Sequence, residues 1–193
     1  AYAKEVVDGD IHTTNQKAAG LPTRNNAKTF IYGFLYGAGP AKIGAIVGGS
    51  DAQGKKLINK FLKATPALKK LREAVAAAVK KNGHLKGIDG RILPVRSEHA
   101  ALNTLLQSAG AVLCKRATVN LYENLATQGY VFGKDYAFVA HIHDEIQIQA
   151  KEEIADIIGQ AAVTAFQQAG EYYDFRCPIT GEYKVGQNWA ETH

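Results

Sequence analysis

Apolar positions recur at helical spacing through the first half of the chain, and a two-residue period enters only farther on. Residues 1 to 22 carry polar and turn-forming signals that end at Gly20-Leu21-Pro22. Thr23 then stands as an N-cap for a helix from Arg24 to about Gly37, because a threonine hydroxyl can satisfy an orphan amide of the first turn. Gly37, Gly39, Pro40 and the Gly48-Gly49 pair bracket a short helical piece around Lys42 to Val47. Ser50 or Asp51 caps a helix with Leu57, Ile58, Phe61 and Leu62 on one face. Thr65-Pro66 opens the next, in which Leu68, Leu71, Val75 and Val79 recur at helical spacing until Gly83 ends the run, with Lys69, Lys70, Lys80 and Lys81 outward.

After Gly83 the texture changes. Gly87, Asp89-Gly90 and Pro94 divide His84 to Arg96 into short extended pieces that fit a small hairpin turning at Asp89-Gly90. Ser97 caps a long helix whose apolar positions, among them Leu102, Leu105, Leu113, Leu121 and Leu125, hold until Gly129. Strands are predicted over 136–142 and 146–149, meeting at a turn around His143-Asp144-Glu145. A helix carrying Ile154, Ile157, Ile158, Ala161 and Phe166 is predicted to stop at Gly170, and a strand-like stretch to run from Glu171 to Cys177. Helices grouped first and hairpins later give an α+β class, in which a small antiparallel sheet packs on long helices. With 193 residues and 46% hydrophobic content, the chain can bury one full core or two small lobes.

Charge sharpens this picture. The formal total is +5, but residues 55 to 91 hold 11 Lys and Arg against 2 acidic residues, whereas residues 135 to 193 hold 3 against 10. A basic lobe attracts polyanions and an acidic one concentrates divalent cations, although two solvated faces of opposite sign would look the same. No apolar run reaches membrane-spanning length, and Lys4, Glu5, Asp8 and Asp10 break up the start, so a soluble, cytoplasmic protein is expected, without a signal peptide or a membrane partner. Cys114 and Cys177 stand apart with no Cys/His cluster, which disfavours a zinc site or a disulfide framework. The chain has no Met, which fits either a piece of something longer or a chain trimmed of its initiator.

Three constellations carry chemistry. Arg24, Lys28 and Tyr32 fall at i, i+4 and i+8, a ridge about 12 Å long on the Thr23-capped helix. Two cations near a helix N-terminus suit several phosphates, and an aromatic ring two turns on suits a sugar or base; a plain basic helix surface is the simpler account. His141-Ile-His143-Asp144-Glu145 sits at a hairpin tip, where adjacent carboxylates offer hard oxygen ligands of the kind Mg²⁺ takes. Neighbouring strand residues face opposite ways, so Asp144 is the one expected to point into a site. A zinc hydrolase of the HxHxDH kind fails on spacing, and an ordinary polar turn stays open. His99, Asn103 and Gln107 form a polar stripe at i, i+4 and i+8, able to grip minor-groove acceptors without reading sequence, or simply to face solvent.

Taken together these motifs resemble a known family. Arg24-Asn-Asn-Ala-Lys28-Thr-Phe-Ile-Tyr32-Gly-Phe-Leu-Tyr36-Gly37 resembles motif B, the nucleotide-binding fingers helix of the family A DNA polymerases, and Ile142-His143-Asp144-Glu145 resembles their motif C. Asn103-Thr-Leu-Leu-Gln107-Ser-Ala-Gly110 and Gly186-Gln-Asn-Trp189-Ala-Glu-Thr-His193 look like further family segments, and the wording is nearest to the replicative polymerases of T-odd phages. The resemblance implies a palm-to-fingers lead-in over 1–22, fingers over 23–82 and the C-terminal part of a palm over 83–193. It implies that His12, Arg24 and Lys28 meet the triphosphate, Lys28 also protonating the departing pyrophosphate, and that Tyr32 lies near the sugar. Tyr36 would mark where the template turns, His99, Asn103 and Gln107 would hold the duplex, and His143 would touch the primer end. Asp144 would be the catalytic metal ligand and Glu145 its less critical neighbour.

One element of the pattern is missing. Phosphoryl transfer with two Mg²⁺ ions needs carboxylates on two separate elements, and the family's motif A aspartate, expected just upstream of Ala1, is not in the chain; Asp8 and Asp10 are poor substitutes by position. The reading is therefore the fingers and most of the palm of a template-directed DNA polymerase, acting in a bacterial host's cytoplasm on primer-template DNA and dNTP. Its partner would be an upstream segment bearing motif A and a thumb, with or without an exonuclease. The alternative is a catalytically inert DNA- and nucleotide-binding module.

Overall fold

A computed structural model describes residues 2–193, with side chains from Lys4 onward. Helices α1 (Tyr2–Val7), α2 (Ile11–Ala19), α3 (Arg24–Leu35), α4 (Pro40–Ala45), α5 (Asp51–Ala64) and α6 (Pro66–Asn82) precede a hairpin of β1 (His84–Lys86) and β2 (Ile92–Pro94). Helix α7 (Ala101–Thr127), strands β3 (Tyr136–Ile142) and β4 (Glu145–Ala150), and helices α8 (Ala155–Tyr172) and α9 (Trp189–Thr192) follow. Two compact units divide the chain, residues 1–107 and 108–193, and the break falls within α7.

Local chemistry explains most boundaries of the first unit. The Thr23 hydroxyl accepts the Asn26 amide to start α3. Ser50 and Gln53 cap α5 reciprocally, each side chain accepting the other's backbone N–H, which satisfies two amides that the first turn leaves bare. Pro66 opens α6, where a missing N–H costs nothing, and Gly83 closes it at φ 73°. The core is built by Ala19 and Leu21, Ala27, Phe30, Ile31 and Phe34 of α3, Ile43 of α4, and Ile58 and Phe61 of α5. Phe61 meets the rings of Phe30 and Phe34 edge-on at 5.2 and 5.5 Å, the geometry that aromatic quadrupoles favour. A satellite cluster joins Val75 and Val79 to Leu85, Leu93 and Ala101, so α6, the small hairpin and the start of α7 share one apolar seam.

In the second unit the β3–β4 sheet packs on two helices. Tyr136, Phe138, Ile148 and Ala150 lie against Leu121 and Leu125 of α7 and Ile158, Ala161 and Ala165 of α8. Asn120, buried in this layer, donates its side-chain amide to the Ala165 carbonyl at 3.2 Å. The antiparallel ladder pairs Phe138 with Ile148 and then Ala140 with Gln147, so Val139 is an extra residue, a β-bulge.

Several expectations need correction. Residues 1 to 22 hold two helices rather than a turn-rich lead-in: Asp10 caps α2 by accepting the amides of His12 and Thr13. Ser97 makes no side-chain cap; a 3₁₀ turn, Glu98–Ala100, starts the rod, so His99 lies before the α-helix that carries Asn103 and Gln107. Leu71 is exposed instead of lining the core. Helix α8 does not stop at Gly170 but runs on to Tyr172, because Gly170 does not take the left-handed φ of a helix stop; its missing Cβ, which would lie 2.7 Å from the Ile179 side chain, makes room for that residue. The stretch from Glu171 to Cys177 is the last helical turn followed by loop, not a strand.

Candidate functional site

The cationic ridge belongs to the first unit. Arg24, Lys28 and Tyr32 are all exposed along α3, and Tyr36 follows as its C-cap. The Tyr32 ring lies 6.2 Å from Tyr36 and 6.3 Å from the ring of His12 on α2, so a second helix contributes to the same face. Arg24 is not free: its Nε and Nη2 donate to the two oxygens of Asp10 at 2.8 and 3.1 Å. That fork, with Thr13 next in effect, holds the Asp10 carboxyl far below the usual carboxylate range and raises the guanidinium in return. Asp10 is thus a cap and a counter-ion, not a carboxylate available for a metal.

Past the ridge, Gly37 turns the chain at φ 82°, and a Cβ there would lie 2.6 Å from the carbonyl oxygen of His99. Glycine is needed twice over, for the left-handed φ and for the close approach, and it brings the end of α3 beside the 3₁₀ turn. Of the polar stripe, His99 and Gln107 are exposed, while Asn103 is half-buried with Oδ1 shielded from solvent and without a partner among the described residues. An unpaired acceptor of that kind gains from any donor brought to it.

The hairpin tip lies in the second unit. Ile142 pairs with Glu145, leaving a two-residue turn of His143 and Asp144, and His143 takes φ 55°. A left-handed non-glycine residue is strained by about 1 kcal/mol and holds Asp144 at the outermost point of the sheet. Asp144 is exposed, and its charge reaches Cys114 of α7, whose thiol is raised first by burial and then by this carboxylate. Glu145 is occupied instead. Its carboxylate accepts from the Gln147 amide, from Trp189 Nε1 at 3.0 Å and from His193 Nδ1 at 3.0 Å. These bonds, Gln147 first and His193 next, hold its carboxyl below the ordinary glutamate range.

For a divalent cation the two neighbours differ. Asp144 presents a hard carboxylate with no hydrogen-bond or ion-pair partner among the described residues and fits, whereas Glu145 would have to leave three donors. Among the described residues, no group of three or more His, Cys, Asp or Glu could hold an ion by itself. Sequence reasoning missed Asp10 as the partner of Arg24, although an Asp two residues before His12 is an N-cap signal. It also missed two partners of Glu145, Trp189 and His193, which lie 44 and 48 residues away without a local signal. Among the described residues no helix is long and apolar enough to cross a membrane.

A helical unit bearing a cationic ridge and a sheet unit with an acidic hairpin tip define the fold of a polymerase domain. The solved POL domain of Pol1 from M. smegmatis, in complex with DNA primer-template and dNTP, shares this fold, with a TM-score of 0.75 at 20% identity over 87% of this chain and 33% of that one. The chain belongs to the family A DNA polymerases, whose family model matches residues 3–191. It is 49% identical to the DNA-directed DNA polymerase of Enterobacteria phage T3 and 48% identical to that of Escherichia phage T7, over its whole length in both cases. DNA polymerase I of Aquifex aeolicus is 27% identical over 87% of the chain. The chain spans 30% of the length of each of these relatives.

Proposed function

We propose that the chain supplies the fingers (23–82), the C-terminal palm (83–193) and their lead-in (1–22) to a template-directed DNA polymerase, joining dNTP to a primer 3′ end in a bacterial host's cytoplasm. The observation that carries this reading is the meeting of His12 with Tyr32 at 6.3 Å, which adds a histidine from α2 to the Arg24–Lys28–Tyr32 ridge. One extended face thereby offers two cations, an imidazole and two rings, the complement of a triphosphate joined to a sugar and base.

In this reading Arg24 and Lys28 bind and orient the phosphates with His12, and Lys28 carries the proton that neutralises the leaving pyrophosphate. Tyr32 packs on the sugar and Tyr36 meets the template base at its turn. The duplex lies on His99, Asn103 and Gln107, and His143 steadies the primer end. Asp144 is the residue of this chain that would hold catalytic Mg²⁺, shared with a motif A aspartate from an upstream segment, and Glu145 contributes less because its oxygens are engaged. Two such ions, when bound, supply Lewis-acid polarisation of the reacting phosphate.

Primer extension by the 193-residue chain mixed with an upstream segment carrying motif A and the thumb tests this. Extension is expected only from the mixture, lost in Asp144→Asn with assembly and primer binding intact, and reduced far less in Glu145→Gln. Extension by the chain alone would point to a second carboxylate within it. A mixture that assembles, binds DNA and never extends would favour the inert binding module.

A further inference from the structure

Asp10 has no part in the chemistry above, yet it is among the most heavily engaged side chains in the first unit. Oδ2 accepts from Arg24 Nε at 2.8 Å and from Thr13 Oγ1 at 2.7 Å. Oδ1 accepts from Arg24 Nη2 at 3.1 Å and from the amides of His12 and Thr13 at 3.1 and 3.3 Å. One carboxylate therefore ties the first turn of α2, which carries His12, to the first residue of α3. A guanidinium has five N–H donors, and this fork uses two of them, leaving three at the Nη end. Lys28, one turn along the ridge, has no ion-pair partner among the described residues.

We infer that Asp10 is a specificity-determining residue that positions Arg24 and sets which anions the ridge accepts. The inference rests on reading Arg24 and Lys28 as the triphosphate site. With Asp10 in place, the formal charge summed over Asp10, Arg24 and Lys28 is +1 rather than +2. The counter-ion's repulsion weakens the hold on any phosphate anion, and pyrophosphate, with no sugar or base to place, has little else to offset it. A nucleoside triphosphate also spans the separate hydrogen-bonding points at Arg24 and Lys28, about 6 Å apart along the helix, and answers to their alignment. Pinning the Nε edge keeps the Nη end aimed and denies the cation to small competitors, including the reaction's own pyrophosphate.

The test is competition between a fluorescent dNTP and pyrophosphate on the 193-residue chain. Asp10→Asn keeps an oxygen that caps α2, since Asn caps as well as Asp, but removes the charge. The expected result is pyrophosphate binding about three- to fivefold tighter, the scale of one exposed ion pair, with dNTP binding unchanged or weaker and the thermal midpoint preserved. Asp10→Glu restores the charge and should return the dNTP-to-pyrophosphate ratio toward the starting value. If both affinities move by one factor, or neither moves, Asp10 has no role in discrimination. Arg24→Ala leaving dNTP affinity unchanged would instead remove the triphosphate site itself.

Discussion

Replacing Gly54 with alanine should destabilise the first unit, against the usual sign of that substitution. In a helix interior, alanine normally gains about 0.5 to 1 kcal/mol over glycine. Gly54 is buried in α5, and a Cβ there would lie 1.9 Å from the Pro40 carbonyl oxygen and 2.7 Å from the Gly44 nitrogen. An ordinary carbon–oxygen contact is about 3.3 Å, so α4 and α5 must separate by more than 1 Å. Both obstacles are backbone atoms, which cannot swing aside as a side chain tip would. Overpacking of this kind costs about 1 to 3 kcal/mol, and the helix gain offsets only part of it, so Gly54→Ala should lose about 0.5 to 2 kcal/mol. Gly110 is the matched control: it lies inside α7 with open space where its Cβ would go, and Gly110→Ala should gain about 0.5 to 1 kcal/mol. Urea titrations followed by far-ultraviolet circular dichroism measure both. A Gly54→Ala chain as stable as the parent would refute the close approach of α4 and α5.

At the ridge, Lys28→Ala should weaken binding of a fluorescent dNTP by roughly tenfold, the scale of one charge-assisted hydrogen bond to phosphate, and unchanged affinity would remove Lys28 from that role. At the hairpin tip, Trp189 is the single tryptophan and donates to Glu145, so its emission reports that carboxylate. Because folding depresses the Glu145 pKa, the contribution of its ionised form is complete above the unfolded value and disappears only as pH falls through the lower folded one. From about pH 5 down through the ordinary glutamate range Trp189 emission should hold steady and then change below it, and Glu145→Gln should abolish that acid step. A step centred at the ordinary glutamate value would contradict the bonding seen.

What could be read from the sequence was what is encoded within a few residues. Thr23, Ser50, Thr65-Pro66 and Gly83 each act on their own turn, and the helices they bound lie where their signals put them. The motif B and motif C segments were legible for the same reason, being continuous in the chain. Helix α2 escaped because Ile11 to Ala19 carries Thr-Thr-Asn-Gln in its middle and shows no apolar stripe; its support is tertiary, with Ala19 packed into the core of α3 and α5. The stop read at Gly170 was wrong because the glycine serves Ile179, nine residues farther on, rather than the end of its own helix. The fork between Asp10 and Arg24 and the bonds of Trp189 and His193 to Glu145 join residues distant in sequence, where residue type alone does not choose the partner.

The two glycine notches of α8 have a consequence for chain length. Ile179 fills the space at Gly170 and the Tyr183 ring fills that at Gly159, where a Cβ would lie 2.2 Å from it. The notches are eleven residues apart, about 16 Å along the helix, whereas the four steps from Ile179 to Tyr183 extend to about 14 Å at most, so side chains must make up the difference. To reach both notches the segment must run largely extended, and it works as a ruler. Removing one residue between 179 and 183 would pull an anchor from its notch and shift the approach of Trp189 and His193 to Glu145, even though no residue touching that carboxylate had changed. Spacing along this exposed strand of chain, more than the identity of its middle residues, therefore sets the company that Glu145 keeps.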